Sequence, residues 1–211
     1  MSLFAIQAAA DKFVADMIQA AIKQDPKLQF QWWFPLVESV TAVEFHQNQD
    51  WFIKVDKDKS GTLDAKEIVK AKFPGDIKID ETTTKRLIRV FDVDCSGSIG
   101  FIEFLALYNF VKLCLDTFKH FDSDKGGSLD NKEMAKALPA LGFNCSKRSI
   151  DTLLKLNSCL GKKVSKNQFV AAAAYLGQCR SIYQRTFDMK RTEIDNREFD
   201  KFVDLVLSLV D

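Results

Sequence analysis

The chain has 211 residues, 46% of them hydrophobic, enough to bury one large core or two small ones. Lys plus Arg number 30 against 29 for Asp plus Glu, which excludes a global field that would draw the chain to nucleic acid. With 18 Phe against 3 Trp, 3 Tyr and 4 Pro, the composition suits helices with buried aromatic faces rather than a strand-rich sandwich. The cysteines Cys95, Cys114, Cys145, Cys159 and Cys179 are odd in number, widely spaced and without a Cys-x-x-Cys pair, as expected in a reduced intracellular, cytoplasmic compartment.

In chain order, residues 3 to 23 are expected to form a helix capped by Ser2. Leu3, Ile6, Ala10, Phe13, Met17 and Ala20 form its apolar stripe, widened by Val14, Ala21 and Ile22. Asp11, Lys12 and Asp16 interrupt the run, so it reads as neither a secretory leader nor a spanning helix. Asp25-Pro26 ends it, and Trp32 and Trp33 precede Pro35, a good first residue for the next helix. Residues 1–35 are thus an N-terminal helical extension, packed permanently on the body or serving as a releasable plug over a groove. Only Lys12 and Lys23 could meet anionic lipid, so any membrane contact is peripheral.

The next stretch, VDKDKSGTLDAKEI, crowds carboxylates that repel one another unless a cation lies between them. Counted from Asp56 it fills the twelve-residue pattern that wraps calcium with oxygen. Asp56, Asp58 and Ser60 offer side chains, Thr62 its carbonyl, Asp64 a direct or water-borne contact, and Glu67 a two-oxygen clamp. Gly61 takes the turn at position 6 and Leu63 the inward apolar position 8. The pattern returns with Asp92, Asp94, Ser96, Ser98 and Glu103, where Gly100 leaves position 9 to water. It returns again with Asp122, Asp124, Ser128 and Glu133, where Gly126 brings no oxygen at position 5 and Asp130 partly compensates. Three matches in register predict Ca2+ at two or three loops per chain, with Mg2+ as competitor; the glutamate clamp favours the larger ion.

These starts, at 56, 92 and 122, are 36 and 30 residues apart. Another 35 residues reaches Asn157, where Cys159, Gly161, Lys162 and Gln168 replace ligands and turn glycine. A further 31 reaches Asp188, with Lys190 in a ligand slot, no glycine, and Ile194 one residue early. Both read as hands without metal, giving hands near 56–67, 92–103, 122–133, 157–168 and 188–198. Pro74-Gly75, and later Pro139 with Gly142, should stop helices within hand pairs. By contrast, FLALYNFVKLCLDTFKHF holds neither Gly nor Pro and fits one helix of about 27 Å from loop two into loop three. Val170 to Phe187 repeats this between hands four and five, with Gly177 as the sole interruption. The fold class is all-α: five helix-loop-helix repeats, short β-links between paired loops, and the N-terminal helix.

Five hands leave one unpaired. The last helix carries Phe199, Phe202, Val203, Val206 and Val210 at helical spacing, destined for the monomer core or for a homodimer in which fifth hands pair. This spacing, the two shared helices and FDKFVDLVLSLV resemble the penta-EF-hand family over about residues 36–211, the EF-hand domain. The resemblance implies calcium-driven exposure of apolar surface, dimerisation through the last hand, and binding of target peptides or membranes. The first loop has the ordinary twelve-residue form, which not all members share, and the family's Gly/Pro-rich tail has no counterpart in residues 1–35. The partner expected is an apolar or amphipathic peptide of a target protein.

No enzyme is expected. His46 and His120 lack zinc spacing, no cysteine stands in a protease signature, and there is no glycine-rich phosphate loop. The expected function is a calcium sensor or adaptor. The alternatives are a calcium buffer or granule store, and a non-catalytic regulatory subunit.

Overall fold

A computed structural model describes residues 3–71, 78–158 and 162–209. Ser2, Pro74-Gly75, Cys159, Gly161 and Val210, and the side chain of Leu3, lie outside the described part. Among the described residues there are ten α-helices and one two-stranded sheet. Helix α1 (Leu3–Gln24) leads through a short 3-10 turn (Leu28–Phe30) to the single-turn α2 (Pro35–Glu38), with Pro35 in its first turn. Hand one is α3 (Ala42–Val55) and α4 (Ala65–Lys70); hand two is α5 (Glu81–Phe91) and α6 (Phe101–Phe121). Helix α6 continues into hand three, which β1 (Ser128–Asp130) and α7 (Asn131–Ala140) complete. Hand four is α8 (Lys147–Asn157), β2 (Lys163–Ser165) and α9 (Lys166–Thr186); α9 then enters hand five, which ends in α10 (Asn196–Ser208).

Local chemistry sets these boundaries. Thr41 with Glu44, and Asp64 with Glu67, form reciprocal capping boxes at the starts of α3 and α4. Asp80 and Ser146 cap α5 and α8 with side-chain oxygens. Pro139 does not stop α7 but sits inside its last turn; the chain leaves the helix at Gly142, whose amide bonds Pro139 O at 2.9 Å. Helices α6 and α9 each run 21 residues, as the absence of internal breakers foretells. Gly177 does not interrupt α9; a Cβ there would make ordinary contact with the Trp32 ring at 3.4 Å and Val90 at 3.5 Å.

Hands pair through their position-8 residues. Leu63 and Ile99 exchange both backbone bonds, at 2.8 and 3.0 Å, in a single bridge between hands one and two. Hands three and four pair more fully, with Ser128, Leu129 and Asp130 opposite Ser165, Val164 and Lys163 in an antiparallel ladder. Leu63, Ile99, Leu129 and Val164 are all completely buried. Around them lies an aromatic core containing Phe45, Phe91, Phe104, Phe110, Phe143 and Phe169, with Trp51 stacked on Phe104 at 4.9 Å.

The segment before Pro35 is knitted into that core. Trp33 and Phe34 are buried, and Trp33 packs on Phe91. The Trp32 indole donates to Ser181 Oγ at 2.9 Å, and Ser181 donates in turn to Val90 O at 2.9 Å. Gln184 on α9 accepts from Trp32 N and donates to Phe30 O and Met189 O. The Arg180 guanidinium lies between the Trp32 and Phe199 rings and donates to Gly142 O and Asn196 Oδ1. Helix α1 is held more lightly, and its buried face differs from the expected stripe. Val14 and Ile18 are buried, whereas Ile6, Phe13 and Met17 are 54%, 44% and 38% exposed, Phe13 stacking on His46. In α10 the buried residues are Phe199, Val203 and Leu207, with Phe202 and Val206 half-buried beside them. No described helix is long and apolar enough to cross a membrane.

Trp33→Ala should cost about 3–5 kcal/mol in denaturant unfolding, and Gln184→Ala about 1–3 kcal/mol through the partners it strands. Phe13→Ala should cost less than about 1.5 kcal/mol, since the ring is largely exposed. Equal losses for Trp33→Ala and Phe13→Ala would contradict this division.

Candidate calcium-binding loops

The first three loops share one construction. Each incoming helix ends on the position-1 aspartate: the amides of Asp56, Asp92 and Asp122 still bond the last turn, at 2.9, 2.8 and 2.9 Å. The same aspartates fold their carboxylates back over the loop. Asp56 accepts from Ser60 N and Gly61 N, Asp92 from Ser96 N and Gly97 N, and Asp122 from Gly127 N. At position 3, Asp58, Asp94 and Asp124 accept from the amides of Ser60, Ser96 and Gly126. This curl needs left-handed backbone twice per loop. Gly61, Gly97 and Gly127 supply it at position 6, with φ of 80, 85 and 72°. Lys59, Cys95 and Lys125 supply it at position 4, with φ of 57, 59 and 52°, at a cost of about 1–2 kcal/mol each.

The position-12 glutamate closes each ring. Glu67 accepts from Lys57 N at 2.9 Å on one oxygen and from Asp64 N at 3.1 Å on the other. Glu103 does the same with Val93 N and Gly100 N, both at 2.8 Å. Glu133 takes Ser123 N and Asp130 N, and also the Ser123 hydroxyl at 2.7 Å. Ser60 and Ser96 donate to the carbonyls of Thr62 and Ser98, each at 3.0 Å, while Ser128 begins β1. Three acidic groups therefore converge in each loop: Asp56, Asp58 and Glu67; Asp92, Asp94 and Glu103; Asp122, Asp124 and Glu133. Within each, one carboxylate oxygen per residue lies within 4.8 Å of the others.

The donor set is entirely oxygen, which fits a hard divalent cation. Asp122 Oδ1 is buried with no hydrogen-bond partner, an acceptor that a metal would satisfy. Crowding shows in the acidities. Burial, then the charges of Asp92 and Asp94, pushes Glu103 up to about 7. Burial also raises Asp92, whose hydrogen bond holds Asp94 low. In loop three, the Ser123 hydroxyl and the Asp130 amide hold Glu133 below the usual carboxylate range. A Cβ at Gly126 would come within 2.7 Å of Asp124 Oδ1, so the missing position-5 side chain leaves room for that carboxylate to fold inward.

Hand four keeps the scaffold without the acids, and hand five keeps Asp188 at position 1 but sets Lys190 in the next ligand slot. Gln168 accepts from Ser165 N at 2.8 Å, taking over the capping bond of a position-12 glutamate with a neutral amide. In hand five, Lys190 lies 5.3 Å from the Phe30 ring centre, its amide bonds Glu193, and Ile194 joins no strand. Two participants escaped the sequence reading. The position-2 amides of Lys57, Val93 and Ser123 act through the backbone and leave no residue signature; only the Ser123 hydroxyl could have been flagged. Arg185 of α9 donates to Asp92 O at 2.7 Å and to Cys95 Sγ at 3.4 Å, joining hand five to loop two across a sequence gap no pattern spans.

The fold and these loops define a calcium-binding EF-hand protein. A family profile described as an EF-hand domain pair matches residues 46–109. Over 86% of its length the chain is 28% identical to penta-EF hand domain-containing protein 2 of Dictyostelium discoideum, of which it spans 88%. Over 53% of its length it is 33% identical to peflin of Danio rerio, and over 60% it is 28% identical to human sorcin, spanning 42% and 63% of those relatives. A solved homolog of programmed cell death 6 protein from Leishmania major superposes with a TM-score of 0.51 at 26% identity, covering 77% of this chain and 88% of that one. With five hands present, the chain is similar to penta-EF-hand proteins over most of its length.

Calcium takes the ionised carboxylate, so uptake at loop two should release a proton near neutrality as Glu103 gives it up. Affinity there should fall about tenfold between about pH 8 and pH 6, while loop three, whose Glu133 is already acidic, holds steady. Calorimetry in buffers of different ionisation enthalpy measures this, and no proton release at about pH 6.5 would refute it.

Proposed function

We propose that this chain is a calcium sensor and adaptor whose ligands are the loop residues named above, with Glu67, Glu103 and Glu133 as clamps. One observation carries the reading: each clamp stands in the first turn of the outgoing helix, so an ion that pulls the carboxylate pulls the helix. Helix α6 joins two loops directly, with Glu103 in its first turn and Asp122 capping its far end. A shift at loop two is therefore delivered to the first ligand of loop three, and the two sites fill as a linked pair. The apolar surface released suits an amphipathic segment of a partner protein.

Hand five supports a homodimer. Among the described residues its loop has no strand partner, and Phe187, Leu205 and Leu209 at and beyond the ends of α9 and α10 are exposed, Leu209 at 78%. An intracellular, cytoplasmic setting fits the four described cysteines, all free thiols.

Glu67→Gln and Glu103→Gln should each remove one calcium-binding event in titration calorimetry, and Gln168→Ala should remove none. Calcium should raise binding of an apolar dye; identical dye binding with and without the ion would favour storage over sensing. Native mass measurement should give twice the chain mass, and a monomer at high micromolar concentration would rule out the dimer.

A further inference from the structure

Loop three differs from loops one and two in what faces its position-3 aspartate. Asp124 Oδ1 accepts from Gly126 N at 2.8 Å, and Asp124 Oδ2 meets the Lys163 ammonium at 3.4 Å. That lysine belongs to the neighbouring hand, whose loop has lost its acids. Counted from Asn157 it occupies position 7, the slot that in a working loop lends only a carbonyl. The ladder fixes where it stands, because antiparallel pairing sets Lys163 opposite Asp130 and so beside the third loop. In the first pair of hands the same slot holds Thr62 and Ser98, neither charged.

We infer that Lys163 is a tethered counter-ion for the third loop: an ammonium that partly neutralises the acidic cluster without calcium and must be displaced when calcium binds. This rests on the calcium reading above and adds a regulatory role for a hand that binds no metal. The pair is solvent-exposed, 46% for the lysine and 56% for the aspartate, so it weakens the site without closing it. A fixed positive charge beside a divalent site also repels the incoming ion. Loop three, already short of an oxygen at Gly126, thereby becomes the weakest of the three and the last to fill.

The test uses the full chain carrying Glu67→Gln and Glu103→Gln, so that one binding event remains. Adding Lys163→Gln should tighten that event about threefold to tenfold, whereas Lys163→Arg should leave it within about twofold. Calcium should also speed acetylation of the Lys163 amine in the otherwise unaltered protein, as the ion frees it from Asp124. Equal affinity with lysine and glutamine overturns the inference and leaves the calcium assignment intact. No event in either chain overturns the assignment of loop three, and the inference with it.

Discussion

The central constraint is that one residue in each working loop must serve two masters. Glu67 and Glu133 close capping boxes at the starts of α4 and α7, Glu103 accepts the Gly100 amide at the start of α6, and their oxygens also complete the acidic clusters. Helix start and ion site are thus the same few atoms, and neither can be changed without the other. Each clamp also bonds the amide at position 2, which closes the loop into a ring. Burial, and then the like charges the ring holds together, raises the pKa of Glu103 and Asp92.

Around this unit, shared helices and paired loops make the hands interdependent. The two pairs are not equally joined: one backbone bridge connects hands one and two, and a three-residue ladder connects hands three and four. Hands four and five have structural uses of their own. Gln168 retains a helix cap, Val164 completes the buried ladder, and Lys190 lies against Phe30 of the N-terminal segment. Loss of ligand chemistry has been accompanied by use of the same positions for packing and charge.

Much of this was legible in the residue order because the loop pattern is dense: acids, a glycine and an apolar residue at fixed offsets can repeat in few ways. The long helices α6 and α9 followed from missing breakers, and Pro35 marked the start of α2. Helix α1 resisted, because its apolar residues cover two overlapping faces, and period alone cannot choose Val14 and Ile18 over Phe13 and Met17. Pro139 and Gly142 together marked the end of α7, which stops at Ala140 with the proline ring inside its last turn. The left-handed backbone at Lys59, Cys95 and Lys125 is carried by residues that do not advertise it. The reach of Lys163 depended on strand register, which exists only once two hands have met.

The knot at Gln184 bears on how the chain is made. Its amide holds Phe30, Trp32 and Met189, groups separated by more than 150 residues of sequence. On the ribosome, Trp32 emerges early, yet its hydrogen-bonding partners Ser181 and Gln184 on α9 are synthesised late. Closing so long a loop is slow and gains nothing until its end is reached. The Trp32 indole can therefore complete its contacts only after α9 emerges, and the interval before that is when a nascent chain of this kind is most prone to aggregate.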